Sequence, residues 1–158
     1  TLTTHLRSLE PLSQMSASDQ EAIRWIAQHV PKDAVILNTI KDVEAGVFIG
    51  GAGQWIPALT GHTILFPALA LTEDVLNPAI SDRLQIMSAL EARRASDEAF
   101  VELLNAYHVR YVFLSPRMMH ARRVLFPPIG PEQFFSSPQY RLAYQQGDTY
   151  VFSLTRSK

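Results

Sequence analysis

Hydrophobic positions along this chain follow two spacings, and the spacings come in pairs. In SDQEAIRWIAQHVP, from Ser18, residues Ile23, Ile26, Ala27 and Val30 fall at i, i+3, i+4 and i+7, the stripe of a helix that buries one side. Ser18 and Glu21 stand three apart in capping-box form, and Pro31 closes the helix. AVILN (34–38) follows at once, a short apolar run suited to a strand covered on both faces. The same phrase returns with Ser96 as cap of DEAFVELLNAYH, Phe100, Leu103, Leu104 and Tyr107 on one side, and then the apolar strand VRYVFLS (109–115). Each phrase is half of a βαβ crossover, so a parallel core sheet is expected.

Between the two phrases the pattern predicts a third helix near 80–95, preceded by the Asn77-Pro78 turn signal, and a further strand near 62–66. The end is different. YRLAYQQGDTYVFSLTR holds two strand-like runs around Gly147-Asp148, an antiparallel hairpin. The fold expected is therefore α/β and Rossmann-like: a mixed sheet with a parallel centre and an antiparallel C-terminal hairpin at its edge, helices packed on it. Residues 1–15 carry no clear period and read as a lead-in or linker; 16–158 read as a single domain.

Composition narrows the classes. The chain has 158 residues, no cysteine, and 14 basic against 15 acidic side chains, a net charge of −1. Disulfides and thiolate metal sites are excluded, and there is no basic excess to neutralise a nucleic acid, which is not expected as a partner. No run approaches about 18 apolar residues, so no segment reads as a membrane span. A start at Thr1, with neither an initiator methionine nor a signal peptide, is expected of a segment cut from a longer chain.

Candidate chemistry is sparse. None of the five histidines (His5, His29, His62, His108, His120) has a metal-ligand spacing, so no metal is expected, and nothing calls for a cofactor. His29 and His108 stand at helix ends, where an imidazolium suits the dipole. Arg117, His120, Arg122 and Arg123 cluster just past a strand end and precede the apolar run 124–129. Clustered guanidinium groups suit a phosphate or carboxylate, and beside an apolar loop they suit an anionic bilayer. A long surface loop with solvated arginines and the apolar segment tucked under it is the plainer account. Ser115 before Pro116 reads as a strand exit, with no nucleophile-elbow spacing.

The most distinctive stretch is GGAGQWIPALTGHTIL (50–65). Gly51 and Gly53 permit close backbone approach, but no third glycine completes a dinucleotide fingerprint. Pro57 argues against one regular helix through 53–60. A turn and then a short helix, with Trp55 as a buried anchor, is the local expectation.

With Gly51, Gly53, Trp55, Pro57 and Gly61, this stretch resembles a segment of the extracytoplasmic C-terminal domain of bacterial polytopic membrane proteins of the GT-C glycosyltransferase type. There a Gly-x-Trp-Ile-Pro-x-Leu-x-Gly-Arg-like motif follows the first strand; His62 stands here where those proteins often have Arg. AIRWIAQHVPKDAVILN, AYHVRYVFLS and YRLAYQQGDTYVFSL resemble flanking phrases of that domain, so the likeness spans most of 18–154. A more distant likeness is to the Trp-Trp-Asp-Tyr-Gly region of oligosaccharyltransferase catalytic subunits. No Trp-Trp-Asp precedes Gly53, and acceptor recognition does not carry over.

The resemblance implies a soluble domain at the extracytoplasmic face of the cell membrane, part of a longer chain whose catalytic carboxylates lie elsewhere. Its implied partners are the transmembrane part of the same polypeptide or the membrane surface, with a glycan or lipid-linked sugar as further partner. The rival expectation is a free-standing Rossmann-like domain that binds a nucleotide or sugar phosphate through the 39–55 loop and Arg117–Arg123.

Overall fold

The computed structural model describes residues 15–38, 40–43, 47–65, 95–115 and 130–155. The chain order is α1 (Ala17–His29), β1 (Val35–Asn38), β2 (Ile40–Val43), β3 (Val47–Gly50), a 3₁₀ turn (Ala52–Trp55), α2 (Ile56–Thr60) and β4 (Thr63–Ile64). It continues with α3 (Glu98–Ala106), β5 (Val109–Leu114), α4 (Pro131–Phe135), β6 (Tyr140–Gln146) and β7 (Thr149–Leu154).

Five strands form one sheet in the order β4-β1-β5-β7-β6. β1 pairs in parallel with β4 and with β5, and Asn38 stands opposite Phe113. β7 runs antiparallel to β5 and to β6, the latter with a bulge between Leu142 and Tyr144. The expected mixed sheet, with a parallel centre and an antiparallel hairpin at one edge, is what the chain forms. The strand near 62–66 is a two-residue piece at the opposite edge. The helix expected near 80–95 falls, but for Ala95, outside the described residues.

Strand alternation divides the apolar residues between two faces. Ile36, Phe113 and Val151 face α1 and pack with Ala22, Ile23, Ile26 and Val30, joined by Ile56 and Ile64. Leu37, Val112, Leu114 and Phe152 face the other way, against Phe100, Val101 and Leu104 of α3 and Phe134 of α4. The sheet is the middle of three layers. The two helix–strand phrases of the sequence lie on opposite faces, and their strands are neighbours.

Three local expectations need correction. α1 is capped by Ser16, not Ser18: the Ser16 hydroxyl accepts from the Asp19 N–H at 3.1 Å, and the Asp19 carboxylate accepts from the Ser16 N–H at 3.0 Å. Asp19 thus takes the role assigned to Glu21, because it reaches the cap and is also buried against β7. α3 starts after Asp97, one residue later than Ser96 implied. Between β1 and the glycine turn, where a loop was expected, β2 and β3 pair as an antiparallel two-stranded ribbon.

Candidate functional site at the C-terminal strand ends

β4, β1 and β5 are parallel, so their C-terminal ends share one edge of the sheet. From β1 the chain crosses to β4 over the α1 face, through α2; it then returns over the other face, through α3, to β5 on the far side of β1. Connections that leave a strand in opposite directions open the edge where α/β proteins hold ligands.

Two buried polar residues stand there. Asn38, the last residue of β1, is fully buried. Ser115, just past β5, is 1 % exposed, and its hydroxyl has no hydrogen-bond partner. A hydroxyl so placed costs about 1–3 kcal/mol relative to one that is paired. By alternation Asn38, Phe113 and Ser115 share the α1 face.

The glycine turn lies over them. A Cβ on Gly53 would stand 2.9 Å from the Asn38 Cβ and 3.4 Å from the Phe113 ring, so the backbone approaches β1 as only glycine permits. The expected turn followed by a short helix is present: Ala52–Trp55 is 3₁₀, and Pro57 falls in the first turn of α2, where its missing N–H costs nothing. Gly61 closes α2 at φ 73°, the left-handed cap that glycine favours. Trp55 is only partly the buried anchor expected: its side chain is partly buried against the α1-side core, and the neighbouring Ile56 is the one that fills the interior.

His62 is 1 % exposed and structural. Its Nε2–H donates to the Val30 carbonyl at 3.0 Å, and Nδ1 sits 2.8 Å from the Thr60 hydroxyl. The ring ties the end of α1 to the end of α2. Lys32 Nζ donates to the Thr60 carbonyl beside it. The sequence set this histidine apart by its place in the glycine–tryptophan motif, and not as a buried residue.

His29 lies in the last turn of α1, as expected, with Nδ1 2.9 Å from the Trp25 carbonyl and its ring stacked on the Trp25 indole, centroids 4.8 Å apart. Phe113 is buried in the α1-side core and Tyr111 packs against it. Arg117, His120, Arg122 and Arg123 lie outside the described residues. Among the described residues no group of His, Asp and Glu could hold a metal ion, and no helix is long and apolar enough to cross a membrane.

These features define the class first: a three-layer α/β domain of doubly wound character, with an antiparallel hairpin at one edge and a polar pair under a glycine turn at the C-terminal strand ends. The particular likeness follows from comparison. The C-terminal globular domain of oligosaccharyltransferase from Archaeoglobus fulgidus shares the fold, with a TM-score of 0.51 and 15% identity over 90% of this chain and 99% of that one. No family model and no curated protein matches the sequence. The distant oligosaccharyltransferase likeness noted in the sequence thus extends to the fold.

Proposed function

We propose that this chain is the soluble extracytoplasmic domain of a multi-pass membrane protein of glycosyltransferase type, one that resembles bacterial GT-C enzymes. It serves docking or substrate positioning and carries no catalysis of its own. One observation carries the reading: almost the whole of an oligosaccharyltransferase C-terminal domain superposes on almost the whole of this chain. On this reading the partners are the transmembrane part of the same polypeptide or the membrane surface, and the group positioned is a glycan or lipid-linked sugar.

The reading frame upstream of Thr1 tests it. On the order of ten hydrophobic spans, each about 20 residues long, are expected there. A start codon close to Thr1 would sink the proposal and favour the free-standing alternative. That alternative makes its own prediction, a saturable rise in melting temperature with a nucleotide or sugar phosphate, since a ligand of the native state stabilises by mass action.

A further inference from the structure

We infer that Asn38 and Ser115 form the inner end of a binding site for a neutral saccharide, at the C-terminal ends of β1 and β5 beneath the 51–55 turn. The inference rests on the substrate-positioning reading above and names the class of substrate.

Independent observations meet at this place. The strand order puts the divergence of the two crossovers here. The Ser115 hydroxyl is buried without a partner. A buried unpaired group in a native fold calls for a partner, either an ordered water or a ligand. Ser115 lies two residues beyond Phe113, the register partner of Asn38, so both polar side chains face the same layer.

The described residues of the place suit a neutral ligand. Asn38, the turn residues Gly51–Gln54 and Ser115 include no ionised group, so a phosphate or carboxylate would find no counter-charge among them. A serine hydroxyl and a carboxamide each donate and accept, as a sugar hydroxyl does. The partly buried Trp55 on the same turn adds an aromatic surface, and a few polar groups beside apolar lining are what small-molecule sites use. An extended peptide fits less well. It would bind by adding a strand, whereas β1 and β5 are already paired on both sides. Gly53 lies directly against Asn38, so a ligand that reaches the polar pair displaces the turn and Trp55 moves with it.

The test uses the 158-residue chain with Trp25→Phe, which leaves Trp55 as the sole indole. Glucose, mannose, N-acetylglucosamine and maltose are titrated while Trp55 emission and saturation-transfer NMR are followed. A sugar phosphate and a neutral Ser/Thr-containing peptide serve as comparison probes. The expected result is saturable binding of at least one neutral saccharide, weakened tenfold or more by Ser115→Ala, with a melting temperature equal to or above that of the parent. Gly53→Ala, whose Cβ would press on Asn38, is expected to weaken binding as well.

Four outcomes would overturn the inference: no neutral saccharide binds; Ser115→Ala binds as well as the parent; only the peptide or the phosphate binds; or Ser115→Ala lowers the melting temperature by several degrees, which would assign the hydroxyl to a structural water. None of these would touch the upstream reading-frame test, so the failure of this inference and of the functional reading are separable.

Discussion

The two helix–strand modules, Ala17–Asn38 and Glu98–Leu114, read almost alike in sequence and are built differently. The first is tied at both ends to distant parts of the chain. Buried Asp19 accepts from the Thr149 hydroxyl at 2.9 Å, across 130 residues, while it completes the Ser16 cap. At the other end His62 grips the Val30 carbonyl. The second module is held mainly by apolar packing: Phe100 and Leu104 are fully buried. Its polar tie lies before the helix, where the Tyr140 hydroxyl donates to the Ala95 carbonyl at 2.8 Å. One pattern of spacing thus admits two ways of fixing a helix on a sheet, by buried polar links on one face and by aromatic mass on the other.

The largest effects should come from the cores. Phe100→Ala is expected to cost about 3–5 kcal/mol and Ile26→Ala about 2–5 kcal/mol, from lost burial plus the cavity left behind. Both helices pack on the same five strands, so urea denaturation should show one transition for each variant, with near-UV and far-UV signals coincident. A variant that melted one face while the other stayed folded would divide the comparison into two independent units.

Asp19→Ala should follow, at about 2–3 kcal/mol, since it leaves the Thr149 hydroxyl and the Ser16 N–H without their acceptor. The matching change in the second module, Ser96→Ala, should cost less than about 0.5 kcal/mol because Ser96 is exposed and outside the helix. A double-mutant cycle of Asp19→Ala with Thr149→Val should give a coupling of about 1 kcal/mol or more. Additivity would mean that the bond between Asp19 and Thr149 contributes nothing to stability.

This contrast marks what the sequence could reveal. Periodicity found both helices, both parallel strands and the hairpin, because burial on one or two faces leaves a repeat of fixed length. It did not find which face each helix takes, since either face satisfies the same stripe. Ser16 was missed because Ser18-Glu21 matches the capping template equally well; only the burial of Asp19 against Thr149 decides between them. The glycine turn was legible as a turn, but the choice of Ile56 over Trp55 for the interior depends on where a 3₁₀ segment hands over to an α-helix. The β2–β3 ribbon was missed although Glu44-Ala45-Gly46 between its strands is a glycine-bearing link, because the strand runs on either side are short. At the strand ends, Ser115 looked like an ordinary exit residue, and its unpaired hydroxyl appears only once the strands are in register.

Tyr140 offers a pH-dependent version of the comparison. Burial pushes its phenol well above the ordinary value of about 10. The folded state therefore keeps a proton that the unfolded state gives up, and stability falls as pH rises above about 10. The loss continues until the folded phenol itself ionises. Tyr140→Phe should cost about 1 kcal/mol at neutral pH through the lost bond to Ala95. It should also flatten the alkaline decline seen in urea midpoints between pH 9 and 11. An unchanged alkaline slope would show that the Tyr140 hydroxyl reaches water.

The smallest expected effect has the opposite sign. α1 leaves its last turn through Val30 in an extended conformation, φ −87°, whereas α3 turns into β5 through His108 at φ 59°, the only non-glycine left-handed residue among those described. Its N–H still closes the turn on the Asn105 carbonyl at 3.0 Å, so the backbone there serves as a helix terminus. The exposed imidazole has no place in the core, and a left-handed residue with a Cβ is strained by about 1 kcal/mol. His108→Gly relieves that strain but adds freedom to the unfolded chain, an opposing effect of similar kind and smaller size. The net expectation is a gain of about 0.5 kcal/mol, a rise of roughly 1–2 °C in melting temperature for a domain of this size. The same change at Val30 should destabilise, since extended backbone gives glycine nothing to relieve and a buried side chain is lost. If both substitutions destabilised, the second module would be held at its exit by the histidine side chain after all, and the two modules would differ less than their hydrogen bonds suggest.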